Sequence, residues 1–384
     1  MRDGRPPYPD AAPAVPVGPD APAGLLAARP GGSARVPGPP AADGPPYPDG
    51  PTRVHDLSAG GGALAAAHRA AREAARLHGM PRAGITLINV SENATFRLDD
   101  PDTGERSILR VHRSGYHSAA AIRSELAWLE ALREEAGVRT PRVLPALDGS
   151  RVLTVPGEPP RACVRFEFLP GAEPPRDRLV AGFERLGAVT ARMHRHARAW
   201  RRPAGFTRFH WDHAAALGAE SRWGRWQDGP GVDAEARAVL GRLDAELRHR
   251  LRRFGRGPDR YGLIHADLRL ANLLVTGDGP PSVIDFDDCG FGWYLYDLAA
   301  ALSFIEHDPL VPEMIASWLR GYRGVLRLPA GDEAEIWTFV MFRRLLLVAW
   351  IGTHSGVDIA AELGAGYTRG TCELAERYLG GAPG

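Results

Sequence analysis

His265-Ala266-Asp267-Leu268-Arg269-Leu270-Ala271-Asn272, with Asp285 thirteen residues beyond Asn272, is the stretch on which the reading of this chain turns. Apolar runs flank it at Leu263-Ile264, at Leu273 to Val275 and at Val283 to Ile284. The last two read as a hairpin across Thr276-Gly277-Asp278-Gly279. Two aspartates, an asparagine and a histidine are therefore expected on loops between short strands. Each aspartate alone would pass for a turn residue or a cap, so any chemistry must come from the joint pattern.

Upstream, the sequence divides into three parts. Residues 1–52 are almost wholly Pro, Ala, Gly and a few charges, too poor in large apolar groups to offset the entropy of ordering, and are expected to form a disordered tail. Residues 53–169 contain a helix at Ala63 to Leu77 and strands at Ile85 to Val90, Thr95 to Leu98 and Ile108 to Val111. A helix at Ala119 to Glu135 follows, with Ile122, Leu126, Leu129 and Leu132 along one face, then strands at Val152 to Val155 and Val164 to Phe168. After Pro170-Gly171 the pattern turns helical, so 170–384 is expected to be a second lobe. Leu179, Phe183, Leu186, Val189 and Met193 mark the buried stripe of a helix to Ala199, and further helices are expected at Ile336 to Ile351 and Glu362 to Tyr378. The fold class is α+β: a small β-rich lobe and a larger, mostly helical one.

Phosphoryl transfer asks little covalent chemistry of a protein, but it needs metal ligands, charge neutralisation and a carboxylate to orient the attacking hydroxyl. Asp267 and Asn272 lie five residues apart on one loop, the separation found in kinase catalytic loops, and Asp285 ends an apolar strand as a hard oxygen ligand suited to Mg²⁺. Leu263 through Asn272, then Val283-Ile284-Asp285-Phe286-Asp287-Asp288 and Tyr296-Asp297-Leu298-Ala299, resemble the aminoglycoside phosphotransferase family. That broad family takes in choline kinases, kinase-like homoserine kinases and a bacterial stress-response Ser/Thr kinase. The likeness spans residues 60 to 375 and implies a protein-kinase-like fold with ATP and Mg²⁺ as cofactors. Position by position it implies Asp267 as catalytic base, Asn272 and Asp285 as metal ligands, Asp297 as a brace for the loop and His265 as a holder of its backbone. Arg269, two residues past Asp267, is a candidate catalytic cation for charge on the γ-phosphoryl group.

In the first lobe, Leu109-Arg110-Val111 resembles the strand on which the family carries a phosphate-binding lysine, and Glu125 stands where the helix partner of that lysine would be. The chain contains no lysine, so that task falls to arginine. A surface ion pair is the competing account of Arg110 and Glu125. Ser91-Glu92-Asn93-Ala94 resembles the phosphate-covering loop, without its glycines, which makes Ser91 and Asn93 candidate nucleotide contacts. Phe166-Glu167-Phe168-Leu169-Pro170-Gly171 resembles the linker whose backbone would face adenine, with Phe166 and Phe168 beside it.

The bulk numbers narrow the function further. Lys+Arg 47 against Asp+Glu 46 gives a net charge of +1, with no bulk pull toward nucleic acid or an anionic membrane. No run approaches the roughly 18 uninterrupted apolar residues of a membrane span, and Met1-Arg2-Asp3-Gly4 runs into prolines without an apolar h-region, so the expectation is a cytoplasmic protein. Three cysteines, Cys163, Cys289 and Cys372, are widely spaced and support neither a disulfide framework nor a zinc site.

The function expected is transfer of the ATP γ-phosphoryl group to a hydroxyl of a small molecule. A Ser/Thr protein kinase of the stress-response type and a catalytically silent nucleotide-binding regulator are the alternatives. Several residues stay undecided. Asp287 and Asp288 read equally as metal or substrate contacts or as a solvated turn. His194 and His196 read as helix-end or surface groups, and Trp211, Trp223 and Trp226 as packing for a helical insertion. Arg343 and Arg344 either face the acceptor or brace its cleft. Charge on the helices after Asp297 is mixed, with Glu306, Asp308, Glu313 and Glu335 against Arg320, Arg323, Arg343 and Arg344.

Overall fold

Side-chain alternation along short antiparallel strands builds the first layer. In the computed structural model, which describes residues 61–90, 93–356 and 358–381, β1 (Gly84–Val90), β2 (Ala94–Asp99) and β3 (Arg106–Val111) form a meander. β4 (Val143–Leu144), β5 (Leu153–Val155) and β6 (Arg161–Glu167) complete a six-stranded sheet in the order β1-β2-β3-β6-β4, with β5 also on β6. The tail expected over residues 1–52 and the candidate Ser91 lie outside the described residues.

Because successive strand residues face opposite ways, Leu109 and Val111 point to one side of β3 and Arg110 to the other. Leu109 and Val111 pack with Phe96 and Leu98 under the small-residue face of α1 (Gly61–Leu77), namely Ala67, Ala71 and Ala74. The opposite face meets α2 (Ala119–Glu135), whose Ile122, Leu126 and Leu129 pack with Val164 and Phe166 of β6. Ser118 caps α2 by accepting from the Ala121 N–H at 3.2 Å, which fixes the start of the helix that carries Glu125.

The remainder is helical: α3 (Leu179–Ala199), α4 (His213–Leu217), α5 (Ala234–Phe254), α6 (Leu295–Ala301), α7 (Val311–Arg323), α8 (Ala330–Glu333), α9 (Ile336–Thr353) and α10 (Asp358–Leu379). Two small ribbons interrupt it. β7 (Tyr261–Ile264) pairs with β10 (Gly290–Trp293), and β8 (Leu273–Leu274) with β9 (Ser282–Val283). The expected hairpin is therefore present but shorter, since Val275 pairs instead with Ala172. β10 has no sequence signal, because two glycines in four residues weaken the strand pattern. α10 begins earlier than expected and is broken at Gly364, whose φ is 44°.

α3 and α7 lie unusually close. A Cβ on Gly187 would sit 2.1 Å from the Trp318 carbonyl oxygen, and one on Gly321 would sit 1.8 Å from that of Glu184, so only glycine fits at either contact. This approach brings His194 of α3 against Tyr322 of α7. α9 is buried on nearly every face, with Arg343 and Arg344 set among its apolar residues, as suits a helix surrounded by other elements. Ala330–Thr353 is long and apolar enough for a membrane span, but 83% of its most apolar window is buried within the protein, which makes it a core helix. Trp211, Trp223 and Trp226 are all core residues, as the packing account expected.

Candidate active site

The loop between β7 and β8 is held by its backbone. Asp297, on the first turn of α6 and fully buried, accepts the His265 N–H at 3.1 Å and the Ala266 N–H at 2.7 Å. Ala266 adopts φ +67°, a conformation costly for a residue with a Cβ, and Asp297 supplies the bond that holds it there. His265 accepts the Asp267 N–H on Nδ1 at 3.3 Å and donates from Nε2 to the Ile284 carbonyl at 3.1 Å, tying the loop to the end of β9. Burial keeps this ring's pKa below the usual histidine range, which suits the neutral tautomer those bonds require.

His194 corrects an expectation. It is neither an end cap nor a surface group: it is fully buried, with Nε2 3.0 Å from Asp297 Oδ2 and Nδ1 3.0 Å from the Tyr322 hydroxyl. Burial lowers its pKa despite the neighbouring carboxylate. The signal was available, since Leu186, Thr190 and His194 continue one face of α3 at four-residue spacing.

At the tip of the loop, three side chains converge on Asp267. Its Oδ2 receives Asn272 Nδ2 at 2.7 Å and Arg269 Nε at 3.2 Å, and its Oδ1 receives Arg343 Nη2 at 2.7 Å. Burial works to raise the Asp267 pKa, but the Arg269 and Arg343 guanidiniums outweigh it and hold the carboxyl below its usual value. Asn272 also donates to the Asp267 carbonyl at 2.9 Å. With its nitrogen so engaged, its amide oxygen takes no hydrogen bond among the described residues, and it is a hard donor of the kind Mg²⁺ accepts. Arg343 thus braces the loop. Arg344 does not reach the loop and pairs at 2.6 Å with Glu306, both fully buried, while the Tyr367 hydroxyl donates to the other oxygen of Glu306.

The second carboxylate differs. Asp285 follows β9 with φ +62°, its side chain 42% exposed, and the Asn272 carbonyl accepts the adjacent Ile284 N–H at 3.0 Å. Its pKa is pushed up to about 7, first by desolvation and then by the neighbouring Asp287 and Asp267 carboxylates, with Arg110 opposing. Arg110 Nη1 lies 3.4 Å from Asp285 Oδ1, and its Nη2 makes a 2.5 Å bond to Glu125. Arg110 and Glu125 are buried, which removes the surface-pair account.

Asp287 and Asp288 are likewise buried, so a solvated turn is ruled out. Asp287 has His117 Nε2 at 3.3 Å, His112 Nδ1 at 3.5 Å and Arg110 Nη1 at 3.9 Å. Burial opposes its charge, yet these neighbours hold its pKa well below the carboxylate range. Asp288 accepts from the Tyr116 hydroxyl at 2.9 Å, and Tyr116 in turn accepts from Trp223 Nε1 at 3.2 Å. Neither Tyr116 nor Arg208 was singled out in the sequence. Arg208 donates to the carbonyls of Asp287 and Cys289 and, at 3.1 Å, to that of Ala121, linking α2 to the loop after Asp285. The Cys289 thiol is pushed up to about 12 by burial and has no nucleophilic character.

The other expected contacts are less concentrated. Asn93 is buried, with its amide oxygen accepting the Arg113 N–H at 3.1 Å. Phe166 is packed in the core with the Arg110 guanidinium over its ring, whereas Phe168 is exposed. Of the charges on the helices after Asp297, Arg320 pairs with Glu184, Arg323 with Glu333, and Glu335 with Arg250. Asp267, Arg269 and Asn272 form one side-chain cluster and Asp285, Arg110 and Glu125 a second, linked by the bond from the Ile284 N–H to the Asn272 carbonyl.

Comparison with known proteins identifies the family. A family model described as "Phosphotransferase enzyme family" matches residues 84–335. Amicoumacin kinase of Bacillus subtilis is 27% identical over 289 residues, covering 72% of this chain and 82% of that protein. The solved structure of a microcompartment-associated aminopropanol kinase superposes with a TM-score of 0.75 at 50% identity, covering 81% of this chain and 97% of that one. An amicoumacin kinase in complex with AMP-PNP, Ca²⁺ and Ami shares the fold, with a TM-score of 0.67 at 22% identity, covering 83% of this chain and 95% of that one.

Proposed function

This chain belongs to the phosphotransferase enzyme family, a phosphotransferase acting on small molecules, and from that premise we propose that it moves the ATP γ-phosphoryl group to the hydroxyl of a small amino alcohol. The observation that carries the chemistry is the convergence of Arg343, Arg269 and Asn272 on the Asp267 carboxylate. The acceptor class rests on the 50% identity to an aminopropanol kinase across most of both chains. Both similar kinases act on small molecules by their names, which favours this reading over a protein kinase or a silent regulator.

The acceptor hydroxyl oxygen attacks the γ-phosphorus, the bond from that phosphorus to the β,γ-bridging oxygen breaks, and ADP leaves with the bonding pair. The hydroxyl proton passes to Asp267. In a loose transition state this transfer is late, so a base of low pKa serves chiefly to orient the hydroxyl. Arg269 neutralises charge growing on the transferred group, and Arg110, held by Glu125, receives the nucleotide phosphates.

Hard oxygen donors fit magnesium: the Asp285 carboxylate and the Asn272 amide oxygen would hold it, and it would supply charge neutralisation between the phosphates. Two protein ligands suffice, because Mg²⁺ keeps waters and takes phosphate oxygens for the rest of its shell. Desolvation and neighbouring carboxylates disfavour the charge on Asp285, an imbalance that a cation offsets.

The test is product formation with Mg²⁺ and ATP on 1-amino-2-propanol, its homologues and 1,2-propanediol, beside an autophosphorylation assay. Phosphorylated amino alcohol in preference to the diol is expected. Label transferred only to protein would defeat the proposal.

A further inference from the structure

An ionised carboxylate offers four lone-pair directions, two on each oxygen. In Asp267 both directions on Oδ2 are taken, by Asn272 and Arg269, while Oδ1 receives Arg343 alone. One direction remains, and it lies on Oδ1. The orientation of that direction is set by the group sharing the oxygen.

That group is fixed on every side. Besides its 2.7 Å bond to Asp267, Arg343 donates from Nε to Ser303 Oγ at 3.1 Å, and from Nη1 to the Tyr296 hydroxyl at 3.1 Å and the Ala266 carbonyl at 3.3 Å. Its guanidinium stands over the Trp223 ring at 5.1 Å, and the residue is 2% exposed. Because the guanidinium is planar, these bonds fix its orientation as well as its place, which an ammonium could not do. The Ala266 bond matters twice, since Ala266 carries the left-handed backbone turn that presents Asp267. Arg343 itself comes from the buried helix α9, remote in sequence from the loop.

We propose that Arg343 is a positioning residue for phosphoryl transfer, holding the Asp267 carboxylate so that its one uncommitted lone pair, on Oδ1, meets the acceptor hydroxyl. The inference rests on the reading above that Asp267 takes the hydroxyl proton. It assigns the proton to one oxygen, and it gives a charged core residue a task in the transfer rather than in folding alone. Arg269 and Asn272, on the other oxygen, face the phosphate and metal.

The experiment compares Arg343→Lys, Arg343→Gln and Arg343→Ala in the full chain. Misplacing a catalytic group by about 1 Å costs on the order of 100-fold, so kcat should fall about 100-fold in Arg343→Gln with KM for ATP little changed. Arg343→Lys, which keeps the charge but not the fork, should recover part of that loss, and added guanidinium should restore turnover to Arg343→Ala. A merely structural role would instead lower kcat and raise the ATP KM together with thermal unfolding, without rescue, and that result overturns the proposal. Should the wild type phosphorylate no amino alcohol, the functional reading fails separately, and a crystal structure of Arg343→Gln still decides. An Asp267 carboxylate turned from its present rotamer supports the positioning role; an unmoved one refutes it.

Discussion

Asp267 and Asp285 stand at the ends of neighbouring loops, and their surroundings push them in opposite directions. The region around Asp267 is complete: protein cations hold its pKa down against burial, and Asp297, His265 and His194 fix the backbone beneath it. The region around Asp285 is incomplete: its side chain is 42% exposed, its pKa is raised to about 7, and Arg110 at 3.4 Å, with Arg269, offsets that rise only in part. On the proposal that Asp267 orients the acceptor hydroxyl and Asp285 holds the cation, the chain preforms the first site and leaves in the second a charge imbalance that a cation would offset. The divergent surroundings of the two carboxylates are what that proposal rests on.

Substitutions can break this contrast. Asp267→Asn should lower kcat by about 1000-fold, in the middle of the range a positioned base contributes, and extra Mg²⁺ should not recover it. Asp285→Asn should lower kcat/KM by roughly 100-fold, with part of the loss recovered as Mg²⁺ is raised, because its defect is in holding the cation. A magnesium titration of both variants checks the pair; equal responses would erase the distinction. Arg269→Ala should cost roughly tenfold in kcat at unchanged acceptor KM, as expected for one half-buried contribution to transition-state charge. Unchanged turnover there would leave Arg269 without its proposed role.

The smallest effect concerns pH and the floor beneath Asp267. Burial lowers the pKa of His194, so the unfolded chain, with a histidine pKa of about 6.5, binds that proton more readily than the native state. The stability it contributes is intact above that value and is lost as pH falls through it. The buried His265, His112 and His117 act in the same direction. Asp285 and Glu125, whose pKa values are raised in the fold, act against them, so the fall with pH is the smaller net effect of the histidines. Calorimetry should show Tm falling by a few degrees between pH of about 7.5 and about 5.5. His194→Gln should lower Tm at neutral pH and flatten that dependence.

How much of this was legible in the sequence follows the same division. The longer strands of the first sheet, the first helices and the spacing of Asp267, Asn272 and Asp285 were readable because local periodicity and loop motifs carry them, whereas β4, two residues long, has no pattern to read. β10 escaped because Gly290 and Gly292 carry no strand signal, although tertiary packing places them in one. Arg343 could be seen but not interpreted, since a charge within an apolar helix reads as either a brace or a ligand until its partner is known. Its partner lies 76 residues away. His194 lies near a helix end, which sequence alone reads as a surface position, although it continues the buried face of Leu186 and Thr190 at four-residue spacing. Ala266 and Asp285 adopt left-handed backbone that sequence assigns to glycine, so the strained turns that present the two carboxylates were invisible.

The central claim is most directly tested by counting ADP and phosphorylated amino alcohol in the same reaction, with wild-type protein and with Asp267→Asn. The account predicts one phosphorylated acceptor for each ADP in the wild type, and loss of both products in the variant while Mg²⁺-dependent ATP binding persists. ADP formed without phosphorylated acceptor, or product formed by Asp267→Asn at the wild-type rate, would contradict it.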